Sequence, residues 1–67
     1  MKPYQERVVT EKNQLDQRIE NLSDFIRDND LYLDLPEDEQ ARMTRLLDVM
    51  GEYSDILGER IAAFVAS

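Results

Sequence analysis

The sequence predicts an all-α fold: an antiparallel two-helix hairpin that joins copies of itself into a homo-oligomeric helical bundle. Three observations predict it. Apolar residues recur at three- and four-residue steps in two long stretches, glycine and proline number only two each, and an acidic, turn-prone segment separates the stretches. The chain has 67 residues and no cysteine. A lone core of this size yields only about 3–5 kcal/mol, and no disulfide can add to it, so burial between copies is expected.

The first helix is expected over about residues 3–27. Pro3 suits its first turn, where a missing N–H leaves no bond unmade. Val8, Leu15, Ile19, Leu22 and Ile26 form its apolar seam, Lys12 fills the gap between Val8 and Leu15, and Phe25 widens the far end. Glu11, Asp16, Gln17, Glu20 and Asp24 lie off the seam.

Residues 28–35 form the connection. Asp28, Asn29 and Asp30 favour a helix stop and a turn. Leu31, Tyr32, Leu33 and Leu35 are too apolar for a solvated loop, and several of them are expected to fold back over the open end of the hairpin.

The second helix is expected over about residues 36–65, starting at Pro36. Glu37, Asp38 and Glu39 set negative charge on the positive end of its dipole. Its seam is Met43, Leu47, Met50, Leu57, Ile61 and Phe64, flanked by Leu46, Tyr53 and Ile56, with Ser54 at the seam's missing beat. Gly51 and Gly58 stand seven apart inside this helix. Each costs about 1 kcal/mol relative to alanine. They are either tolerated weak spots or a mild bend, or else a smooth stripe that another backbone or a flat ligand can approach.

The composition narrows the function. There is no histidine, the commonest general base and zinc ligand. No glycine-rich phosphate loop or Gly-x-Ser-x-Gly occurs. The fifteen Asp and Glu do not fall on an apolar face that would retune one for acid–base work. Asp28, Asp30 and Asp34 lack the central glycine and closing glutamate of a calcium loop. Neither an enzyme nor a metal site nor a cofactor is expected. A net charge of −7 disfavours genomic nucleic acid and anionic membrane surfaces. No apolar run approaches the roughly 20 residues of a membrane span, and no signal-peptide core follows Met1, so a cytoplasmic protein is expected.

The few basic residues are the informative ones. Lys2, Arg7, Lys12 and Arg18 cluster in the first third beside Tyr4. An aromatic ring beside cations can hold a nucleotide, the ring stacking on a base and the cations meeting phosphate. Ordinary amphipathic decoration gives the same pattern. Antiparallel pairing would bring Tyr53 and Arg60 into the neighbourhood of Tyr4 and Arg7.

Two stretches carry a family resemblance: Tyr4-Gln5-Glu6-Arg7-Val8-Val9-x-Glu11-Lys12-x-x-Leu15-x-x-Arg18-Ile19-x-x-Leu22-x-x-Phe25-Ile26, and Met50-x-x-Tyr53-Ser54-x-Ile56-Leu57-Gly58-Glu59-Arg60-Ile61. Over about residues 4–64 the chain resembles the phage helical-hairpin proteins shared by anti-CBASS and anti-Thoeris cyclic-nucleotide sponges. The resemblance implies a hexamer in the host cytoplasm that binds a cyclic oligonucleotide immune signal without cleaving it. It also implies that Tyr4 stacks on the ligand and that Arg18, or alternatively Lys12, meets phosphate. Arg7, Tyr53 and Arg60 complete the expected ligand-binding set. The Tyr-Arg-x-Leu-[Ser/Thr] entry of the anti-CBASS sponges is absent. The other reading is a protein-interaction module, or an acidic nucleic-acid mimic that inhibits a host protein.

Overall fold

In the computed structural model, which describes residues 1–66, three helices follow one another: α1 (Pro3–Asp28), α2 (Asp30–Asp34) and α3 (Glu37–Ala66). α1 opens at Lys2, whose backbone N–H donates to Gln5 Oε1 at 2.9 Å, and Pro3 takes the first turn as its fixed φ allows. The helix closes with the Asn29 N–H on the Phe25 carbonyl at 3.1 Å. Arg27 sits in its last turn, pairs with Asp24 at 2.7 Å and Asp28 at 2.8 Å, and complements the negative end of the dipole.

The connection holds a helical turn of its own. The Asn29 side chain caps α2 by accepting the Leu31 N–H at 2.9 Å. This turn aims Tyr32 back at the hairpin. Its ring meets Phe25 edge-on at 6.3 Å, and its hydroxyl donates to the Gln40 carbonyl at 3.4 Å. Gln40 in turn donates to the Leu35 carbonyl at 2.9 Å. Tyr32 and Leu35 are half-buried and are the two of the four that fold back. Leu31 and Leu33 differ: they point to solvent, 61% and 74% exposed. A single helical turn cannot direct four neighbouring residues to one side.

α3 begins one residue after Pro36, whose carbonyl accepts the Gln40 N–H at 3.0 Å. Arg42 reaches back to Asp38 at 3.3 Å and Glu39 at 2.9 Å in its first turns. α1 and α3 pack antiparallel: Tyr4 meets Phe64, Glu11 meets Tyr53, and Lys12 meets Ser54. The core is thin. Val8, Leu15 and Leu57 are its buried apolar residues, with Ile19, Met50, Ile61 and Phe64 packed against them. The molecule is a rod of 48 × 15 × 15 Å with a radius of gyration of 15.1 Å. A compact chain of this length would have a radius of gyration near ~11 Å. Two helices side by side have no third element to cover their outer faces, and Leu46, Val49, Tyr53 and Ile56 are each 43% or more exposed.

Candidate functional site: an aromatic and basic face

The two polar gaps in the apolar seams meet each other. Lys12 Nζ donates to Ser54 Oγ at 2.7 Å and to Asp16 Oδ2 at 3.1 Å. The Ser54 hydroxyl donates to Asp16 as well. Ser54 is buried, and no buried side-chain nitrogen or oxygen among the described residues lacks a partner. The Ser54 hydroxyl, then Lys12, hold the Asp16 carboxylate below its ordinary pKa, although partial desolvation opposes this. Spacing alone put Asp16 off the seam; its one-turn offset from Lys12 lets it close this triad from the edge.

The remaining expected residues lie on the other flank. Tyr4, Glu11 and Arg18 follow one another at seven-residue intervals, as do Leu46, Tyr53 and Arg60. Residues seven apart drift by only about 20° around a helix, so each trio shares a side. The Tyr53 hydroxyl donates to Glu11 and joins the two trios across the pair. Running antiparallel, the Tyr4 end of α1 lies beside the Arg60–Phe64 end of α3, Glu11 meets Tyr53, and Arg18 lies toward the Leu46–Met50 turn. At the Tyr4 end the contact runs through Phe64: its ring meets Tyr4 edge-on at 5.7 Å and carries the Arg60 guanidinium at 5.9 Å. Arg7 stands one turn beyond Tyr4, in a shallow groove lined by Pro3, Glu6, Thr10, Glu11 and Gln14.

The structure thus gathers Tyr4, Arg7, Arg18, Tyr53 and Arg60 on one face and sets Lys12 on the opposite flank. A Cβ added at Gly58 would stand 3.7 Å from Lys12 Cε, which marks that flank as the glycine side. Of the two cations left open by the resemblance, Arg18 shares the face of Tyr4 and Lys12 does not. Glu11 is a member that sequence reasoning missed. Its carboxylate takes up the Tyr53 hydroxyl and keeps the centre of the face unfavourable for phosphate, so the cationic positions are the two ends. Phe64 was assigned only to the seam, yet it positions both Tyr4 and Arg60. The face is open to solvent, and a ligand against it would be covered on one side only. Among the described residues no group of three or more Asp or Glu could hold a metal ion. No helix among them is long and apolar enough to cross a membrane.

Fold and face define a small helical-hairpin protein with an aromatic and basic side on an otherwise acidic rod. The chain belongs to the Sequestin family, whose model matches residues 2–63. That family name fits a cyclic-nucleotide sponge family, in agreement with the resemblance carried by the Tyr4–Ile26 and Met50–Ile61 stretches. No match was found among curated proteins or among solved structures.

Proposed function

We propose that this protein is a non-enzymatic phage sponge: a homo-oligomer, expected as a hexamer, that sequesters a cyclic oligonucleotide immune signal in the host cytoplasm. The observation that carries the reading is the segregation of Tyr4, Arg7, Arg18, Tyr53 and Arg60 onto one face of a chain whose net charge is −7. Such a face suits a small anion with stacking bases and does not suit a long polyanion. Tyr4 stacks on a base, Arg18 and Arg7 neutralise phosphate, and Arg60 and Tyr53 form the wall. Lys12 has a structural duty in this reading, fixing Ser54 and Asp16. The name Sequestin supports sequestration as the mode of action.

Isothermal titration with a panel of cyclic dinucleotides and trinucleotides tests the proposal. Binding at micromolar strength or tighter to at least one member is expected. Arg18→Glu and Tyr4→Ala should each weaken it by about ten-fold or more, the loss of one charged or stacking contact of ~1.4 kcal/mol. No binding to any member rejects the sponge.

A second reading rests on α3. Asp48, Glu52, Asp55 and Glu59 follow one another on its outer side, an acidic ridge that suits a basic host protein. Stoichiometric capture of one such protein without nucleotide would favour that reading.

A further inference from the structure

The arginines of the rod are not alike. Arg27 and Arg42 each pair with two carboxylates, and Arg60 lies over the Phe64 ring. Arg7 enters no ion pair among the described residues, although Glu11 stands one turn further along α1. An arginine four residues before a glutamate is the weaker orientation of a helical ion pair, so the two charges stay apart. Both line the same shallow groove, and Gln14 lines it one turn beyond Glu11. The Gln14 side chain has no hydrogen-bond partner among the described residues. Glu11 has one: its Oε2 accepts the Tyr53 hydroxyl. An ionised carboxylate has about four lone-pair positions, so Glu11 keeps most of its acceptor capacity.

We propose that this groove reads a guanine base, with Glu11 and Gln14 as specificity-determining residues of the nucleotide site. The inference rests on the sponge reading and names the base that the sponge takes. Guanine presents the O6 acceptor, the N1–H donor and the N2 amino donor in a row along one edge. The Glu11 carboxylate accepts from N1–H and N2–H, and the Gln14 amide donates to O6. Residues three apart on a helix have Cβ atoms about 5–6 Å apart, which lets both side chains reach one base. Arg7 lies about 6 Å from Glu11 along the axis in the other direction. A phosphate on Arg7 and a base edge at Glu11 therefore belong to a single nucleotide. Tyr4, one turn before Arg7, is left to stack on the other base.

The carboxylate is what selects the base. Adenine sets one donor, the N6 amino group, beside the N1 acceptor, whose lone pair faces the carboxylate. Cytosine pairs its N4 donor with an N3 acceptor in the same way. Uracil has a single N3–H between two carbonyls. Guanine alone of the four offers two neighbouring donors to an acceptor that has none to give. Tyr53 contributes by holding Glu11 before a ligand arrives, which lowers the cost of ordering it. A purely structural Glu11 would tie α1 to α3 and nothing more. The groove holds more than that tie: a cation without a carboxylate and an amide without a partner lie on either side of it.

Calorimetric titration of the full chain with cyclic di-GMP, cyclic di-IMP and cyclic di-AMP tests it. The guanine ligand should bind about ten-fold or more tighter than the adenine ligand, with the inosine ligand, which lacks the N2 amino group, between them. Glu11→Gln exchanges an acceptor for a donor and should bring the guanine and adenine ligands within about three-fold of each other. Tyr53→Phe removes the tie and keeps the carboxylate, so the guanine-to-adenine ratio should persist. A structural Glu11 would instead weaken both ligands together and leave their ratio unchanged in Glu11→Gln. That result, or equal affinity of the parent for guanine and adenine ligands, overturns the base assignment and leaves the sponge standing. No binding to any cyclic nucleotide rejects the sponge, and backbone amide shifts on adding GMP or AMP then judge the groove by itself. Shifts at Arg7, Glu11 and Gln14 with GMP and not with AMP support the assignment; GMP that moves none of them overturns it.

Discussion

Lys12, Ser54 and Asp16 are the residues at which the hairpin's register is set. Both apolar seams skip one beat, and the two skipped beats face each other, so sliding either helix by a turn would bury Lys12 against leucine. The pH dependence follows from Asp16. Its folded-state pKa lies below the ordinary 3.8 because Ser54 and Lys12 bind the ionised form. The contribution is therefore complete well above pH 3.8 and is lost as pH falls from that value through the lower folded one. Thermal melts of the parent should soften over that acid range, and Asp16→Asn should remove this part of the response. The two gaps were legible in the sequence, because Lys12 and Ser54 each stood out in an apolar series, but their meeting was not. The role of Asp16 was not, since one-dimensional spacing gives a side of the helix but not how far a lysine on the neighbouring turn leans.

At the scale of the elements, both long helices were legible because period and caps agree: Pro3 and Pro36 mark their beginnings, and Asn29 marks the stop between them. The connection was less legible. Its apolar content correctly suggested contact with the hairpin, but the Asn29 cap starts a helical turn that sends Leu31 and Leu33 outward. The glycines of α3 have a plain reading within the hairpin. A Cβ at Gly51 meets nothing within 4 Å, and one at Gly58 meets Lys12 Cε at ordinary contact distance. Gly51→Ala and Gly58→Ala should each stabilise the chain by up to about 1 kcal/mol in denaturant melts. Neither should change its mass, because both glycines lie on the side of α3 away from Leu46 and Val49. Loss of assembly in either variant would show instead that a second backbone approaches there. Leu57→Ala should cost about 2–5 kcal/mol, since Leu57 is 3% exposed and anchors the small core.

For the whole molecule the decisive quantity is how little a lone hairpin encloses. Among the described residues three apolar side chains are buried, and no large side chain is less than 2% exposed. Meanwhile α3 turns Leu46, Val49, Tyr53 and Ile56 toward solvent. The sequence alone implied self-association from chain length and pattern, and the flanking of Leu46, Tyr53 and Ile56 was visible there. It took the contact of Tyr53 with Glu11 to show which side of α1 this flank adjoins, and so that the basic residues lie beside it. The most direct test of the account is the melting temperature by circular dichroism over a hundred-fold range of protein concentration. Folding coupled to association predicts a melting temperature that climbs with concentration. A sharp melt that stays fixed across the range, from a 7.9 kDa species, would contradict it.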